Sequence, residues 1–196
     1  MNFVYMHGFN SAFDPTSEKI QELFKIGHVH GVTYNTFETY GKIYEEILPQ
    51  VPEDADGLTF VGTSLGGYWA AVMARVFGCP SIIANPVVEP QVTLKKYVGK
   101  ELFNYQTGEV KKLDAKVIES YPTEVAFSNS TDDWFLPLVL LDMGDDVINS
   151  QKTRKLLSGY PMICWEEGNH RFEHMKEAVN PIQEYLNHCS YAGLTD

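Results

Sequence analysis

Short, nearly continuous apolar runs recur along the chain, each closed by a turn residue or an acidic pair. They are FVYMH (Phe3–His7), VHGVTY (Val29–Tyr34), LTFVG (Leu58–Gly62), SIIAN (Ser81–Asn85), LVLLDM (Leu138–Met143) and MICWEE (Met162–Glu167). Runs of this length that are apolar on both faces predict strands buried on both sides, as in a parallel sheet. Between them the spacing becomes helical. Asp14-Pro15 opens TSEKIQELFKIG, where Ile20, Leu23 and Phe24 share a face and Gly27 stops the helix. YGKIYEEILP aligns Ile43, Tyr44, Ile47 and Leu48 and ends at Pro49. Strands alternating with helices predict an α/β fold, a doubly wound, mostly parallel sheet of about six strands covered on both faces.

The rhythm breaks between Pro86 and Leu136. TLKKYVGKELF and LDAKVIESY read as helices there, and TEVAF is the one strand candidate. A structureless loop of that length is rare in a compact domain. The expectation is therefore a helical, lid-like insertion over 86–136, after the fourth strand and within a single domain spanning 1–196. It carries Tyr97, Phe103, Tyr105, Trp134 and Phe135. Of these aromatics, Tyr97 and Phe103 are the candidates for substrate-pocket walls.

Charge narrows the partners. Fifteen Lys+Arg against 26 Asp+Glu give a formal charge of −11, which repels phosphate backbones and anionic lipid surfaces. No run of about 18 apolar residues and no basic leader with a cleavage site is visible, so the expectation is a cytoplasmic protein with neither nucleic-acid nor membrane partner. The oligomeric state leaves no mark in the pattern. Cys79, Cys164 and Cys189 are an odd number without C-x-x-C spacing. They are read as reduced, with Cys79 and Cys164 packed in the core. Phosphate-loop, dinucleotide and H-E-x-x-H signatures do not occur, so neither cofactor nor metal is expected.

The chemistry concentrates around LTFVGTSLGGYWAAVMARVFG (Leu58–Gly78), a strand, a sharp turn and a helix apolar nearly all round. Gly62-Thr63-Ser64-Leu65-Gly66 fits the nucleophile elbow G-x-S-x-G, in which residues two before and two after the serine must be small because strand and helix crowd there. The bland alternative is a glycine-rich turn that closes the fold or cradles an anion. A serine nucleophile needs a base and a group to orient that base. GNHRF places His170 in a loop after the last predicted strand, whereas His7, His28, His30 and His188 do not follow a late strand, and His174 reads as a surface helix residue. In LLDMGDDVIN, Asp142 is still inside a strand, while Asp145 and Asp146 lie in the loop beyond Gly144. Catalytic groups of open α/β sheets gather at this carboxyl edge. The order Ser, Asp, His is that of α/β-hydrolases. Backbone donors for an oxyanion would be the N–H of Leu65 and that of Phe9, with Gly8 letting the chain approach and His7 bracing the loop.

MHGFNSAFD, GTSLGGYWA, NPVVEP, YQTGEV, GDDVIN and EEGNHRF, in this order from Phe3 to about Tyr185, resemble the small bacterial esterases of the YqiA type, a minimal branch of the α/β-hydrolases. The resemblance implies a carboxylesterase that hydrolyses short acyl esters through an acyl-enzyme. It carries over Ser64, Asp145 and His170 as the triad, with Asp145 rather than Asp146 as the acid, and Phe9 and Leu65 as oxyanion donors. Two alternatives remain at this level: a thioesterase using the same triad, and a non-catalytic binding module on the same fold.

Overall fold

The computed structural model describes residues 1–53, 57–122 and 136–192. Six strands, β1 (Asn2–Met6), β2 (His28–Val32), β3 (Leu58–Thr63), β4 (Ser81–Ala84), β7 (Leu138–Asp142) and β8 (Met162–Trp165), form one parallel sheet in the order β2-β1-β3-β4-β7-β8. Each lies within a residue or two of its predicted run. Strand alternation divides the core into two layers. Val4 and Met6 of β1, and Val139 and Leu141 of β7, face one layer, while Phe3, Tyr5, Leu138 and Leu140 face the other.

Helices α2 (Tyr40–Ile47) and α3 (Leu65–Phe77) cover the first layer, and α1 (Glu18–Phe24) and α7 (Met175–Ala192) the second. The central helix α3 is apolar nearly all round because the sheet and its neighbours enclose it: Tyr68, Trp69, Ala70 and Met73 are all buried. The chain leaves β1 for the edge strand β2 and returns to the other side of β1 as β3. The connections therefore diverge above the carboxyl ends of β1 and β3, the position at which an open α/β sheet forms its crevice.

The segment after β4 departs from the expected helical insertion. Helices α4 (Pro90–Thr93) and α5 (Ala115–Glu119) flank an antiparallel ribbon of β5 (Glu101–Phe103) and β6 (Val110–Lys112). Turn chemistry overrides helical spacing here. Asn104 Oδ1 accepts the backbone N–H groups of Gln106 and Thr107, and Gly99 and Gly108 adopt φ of 77° and 75°. The strand candidate TEVAF and the aromatics Trp134 and Phe135 lie outside the described residues. Helix α6 (Ser150–Leu156) precedes β8. Among the described residues, no helix is long and apolar enough to cross a membrane. The three cysteines are free; Cys79 and Cys189 are buried, and Cys164 is half-buried against the first layer.

Candidate active site

Ser64 occupies the junction of β3 and α3 with φ 60° and ψ −125°, a conformation that costs an L-residue about 1–3 kcal/mol and persists only where packing imposes it. The packing is visible at the flanking glycines. A Cβ on Gly62 would stand 2.0 Å from the Gly66 carbonyl oxygen, and one on Gly66 would stand 2.1 Å from that of Met6. Strand, helix and the neighbouring β1 thus touch backbone to backbone, and Ser64 is left at the apex of the turn.

The histidine loop comes to meet it. His170 Nε2 lies 2.9 Å from Ser64 Oγ, and Nδ1 lies 2.8 Å from Asp145 Oδ2. With the carboxylate accepting at Nδ1, the proton of a neutral imidazole belongs there, leaving Nε2 to accept from the serine hydroxyl. The Asp145 carboxylate is almost fully buried, and its other oxygen accepts the N–H groups of Val147 and Ile148, each at 2.8 Å. These bonds fix its rotamer. Asp146 is exposed and points to no partner among the described residues.

The loop after β1 packs directly on the serine. A Cβ on Gly8 would lie 3.4 Å from Ser64 Cβ and 3.8 Å from Ser64 Oγ. The N–H groups of Phe9 and Leu65 donate to no acceptor among the described residues, and Phe9 lines the crevice. His7 braces this loop: it is buried, its Nδ1 donates to the Gly8 carbonyl at 2.9 Å, its Nε2 accepts from the Tyr34 N–H, and its ring stacks on Tyr34. Burial holds its pKa below the usual histidine value and keeps it neutral.

A cavity of about 520 Å³ opens over Ser64 and His170. The β5–β6 ribbon contributes Asn104, Tyr105 and Gln106 to its wall, not the two aromatics anticipated from the sequence. Tyr97 lies behind the wall, stacked on Phe9 with centroids 5.6 Å apart, and Phe103 is half-exposed against Tyr105, offering its carbonyl to Asn10. The ribbon's tip is tied down by Gln106, whose Oε1 accepts from the Ser11 hydroxyl and the Ala12 N–H.

Two groups near the site escape a reading of the sequence. Asn85, at φ 42° just past β4, accepts the Asp142 N–H at 2.8 Å and donates to the Asn169 carbonyl at 2.9 Å, linking β7 to the histidine loop. His174 is not a free surface residue. Its Nδ1 stands 2.7 Å from Asp142 Oδ1, and its ring stacks on Trp165 at 5.4 Å. The NPVVEP motif marked the neighbourhood of Asn85, but nothing local marked its role. Among the described residues, no group of three or more His, Cys, Asp or Glu is placed to hold a metal ion.

This parallel sheet, with its strained serine turn at the crevice, defines the α/β-hydrolase fold. The chain belongs to the family described as "Uncharacterised protein family (UPF0227)", whose sequence model spans residues 2–187. A UPF0227 protein of Shewanella woodyi is 26% identical over 189 residues, covering 93% of this chain and 97% of that one. Among solved structures, Est1E from Butyrivibrio proteoclasticus superposes with a TM-score of 0.70 at 15% identity, covering 97% of this chain and 88% of its own. Mouse alpha/beta hydrolase domain-containing protein 10 does so with a TM-score of 0.69 at 16% identity, covering 95% and 89%.

Proposed function

We propose that the protein is a serine carboxylesterase acting on short acyl esters. The observation that carries this reading is the continuous hydrogen-bonded line Asp145–His170–Ser64, with 2.8 and 2.9 Å links, ending at a serine held in an elbow. In the proposed mechanism, His170 Nε2 takes the hydroxyl proton as Ser64 Oγ attacks the ester carbonyl. Asp145 holds the tautomer and stabilises the imidazolium that forms. The N–H groups of Phe9 and Leu65 receive the oxyanion, each worth about 3–4 kcal/mol in the transition state. His170 then protonates the departing alkoxide, leaving an acyl-Ser64. In the second half-reaction it deprotonates water, which attacks the acyl carbonyl, and it returns the proton to Ser64 as the carboxylic acid leaves.

A fluorophosphonate probe tests the nucleophile: it is expected to label the wild-type chain once, at Ser64, and to leave Ser64→Ala unlabelled. Labelling that persists in Ser64→Ala overturns the assignment. A graded series of p-nitrophenyl esters beside acyl-coenzyme A thioesters then separates the reaction classes. Faster turnover of the thioesters would make the protein a thioesterase on the same triad, and unlabelled, inactive wild type would leave a binding module.

A further inference from the structure

The cavity above Ser64 is not electrically neutral. Its charged lining groups are Lys19 at the start of α1, Arg171 beside His170, and Asp14 in the turn before α1. Asp14 is occupied at home, its Oδ1 accepting the N–H and hydroxyl of Thr16. The two cations are not occupied. Lys19 Nζ has three protons to donate and spends one, on the Arg171 carbonyl at 2.5 Å. Neither Lys19 nor the Arg171 guanidinium has a carboxylate within ion-pair distance among the described residues. In a chain of net charge −11, with acids abundant for pairing, two unpaired cations facing the nucleophile's cavity are not a default arrangement of charge.

Resting on the esterase reading, we propose that Lys19 and Arg171 form an anion-recognising end of the catalytic cavity, and that the preferred substrates are esters carrying a carboxylate or a phosphate. A partly desolvated ammonium is costly without an acceptor, and an ionised substrate group supplies one through charge-assisted hydrogen bonds. Arg171 follows His170 directly, and both line the cavity. Burial lowers the Lys19 pKa to about 8, with Arg171 pushing the same way and Asp142 opposing. In the free enzyme the Lys19 charge is therefore present at neutral pH and lost as pH rises through about 8. The other charged groups around it are Asp14 and Arg171, which line the same cavity, and the Asp142 carboxylate.

The test uses three butyryl esters that share a three-carbon alcohol skeleton: of glycerol, of glycerate and of glycerol 3-phosphate. In the wild type, kcat/KM for a charged ester is expected to exceed that for the glycerol ester by at least about tenfold, the scale of one charge-assisted hydrogen bond. The larger of the two charged ratios identifies the group recognised. Arg171→Gln and Lys19→Met should each collapse that ratio toward one, and Lys19→Arg should retain it. For the glycerate ester, the wild-type ratio should fall above about pH 8 and stay level in Lys19→Arg. Calorimetric titration of the same esters into Ser64→Ala reads the preference without hydrolysis. Preferential binding of charged esters there, with no turnover by the wild type, would overturn the esterase reading and leave the anion site standing. A ratio near one in the wild type, a ratio that survives both charge-removing variants, or indifferent binding by Ser64→Ala overturns the proposal.

Discussion

Two aspartate–histidine pairs sit on either side of the same strand end, three residues apart in one partner and four in the other. Asp145–His170 and Asp142–His174 both join a buried carboxylate to an imidazole Nδ1, at 2.8 and 2.7 Å. In both, the carboxylate is nearly inaccessible and the imidazole roughly a fifth exposed. What differs is the far side of the ring. His170 Nε2 meets a serine hydroxyl at the crevice, whereas the ring of His174 lies flat on Trp165. An oriented imidazole is thus not in itself a catalytic group; the third partner decides. The Asp142 pair has a different task. Its second oxygen accepts the Glu173 N–H at 2.8 Å, its own N–H is held by Asn85, and its carbonyl accepts from Ser150. It pins the far end of the loop whose near end presents His170.

The largest expected effect separates the pairs by rate. Asp145→Asn removes the carboxylate that holds the His170 tautomer, and kcat for a p-nitrophenyl ester should fall by about 10,000-fold, with the thermal midpoint changed by only a few degrees. The next separates them by stability. Asp142 is completely buried, so Asp142→Asn leaves His174 and the Glu173 N–H facing an amide and should cost about 3 kcal/mol in denaturant unfolding. Its kcat, measured well below the unfolding transition, should drop by no more than about tenfold. If the two variants exchange these signatures, the Asp142–His174 pair is the functional one.

A third substitution strikes the structural pair from outside it. Gly168 adopts φ 85°, and a Cβ there would stand 2.1 Å from Asp142 Oδ2 and 2.3 Å from its Cγ. Gly168→Ala therefore combines a strained backbone with displacement of the carboxylate, at about 2 kcal/mol of unfolding free energy. Urea denaturation checks it. A stability equal to wild type would mean that Asp142 yields freely and does not anchor the loop.

The contrast also marks what the sequence conveys. The six sheet strands are legible because burial on both faces leaves continuous apolar runs, and the glycines of G-x-S-x-G are legible because a backbone-to-backbone crossing admits nothing larger. The placement of Asp145 and His170 follows from the same periodicity, since each falls just past a strand end. The Asp142–His174 pair is invisible by this logic. Local spacing puts His174 at the start of an amphipathic helix, and only the packing of that helix's entry against β7 turns it toward a buried acid. The β5–β6 ribbon is missed for a related reason: three-residue strands carry too little periodicity to outweigh helical spacing, and the side-chain-capped turn at Asn104 that enforces the reversal resembles an ordinary polar loop. Lys19 and Arg171 meet across 152 positions of chain, a contact that no local pattern encodes.

The smallest expected effect sets the resolution of the comparison. Asp146 adjoins Asp145 and lies in the same loop, so at the level of sequence only the family resemblance separates the two. The structure gives them different surroundings. The Asp145 carboxylate is enclosed, accepts two backbone N–H bonds at one oxygen and faces His170 with the other. Asp146 is exposed, three residues before the Asn149 side chain that caps α6 by accepting the Lys152 N–H. A solvated acid ahead of a helix start interacts with the helix dipole by at most a few tenths of a kcal/mol under salt. Asp146→Asn should therefore leave kcat/KM within about twofold of wild type and the unfolding midpoint within about one degree. A loss of several orders of magnitude in this variant, with Asp145→Asn mild, would shift the catalytic acid by one residue and dissolve the contrast between the two pairs, because the bonds that hold Asp145 would then serve only the loop.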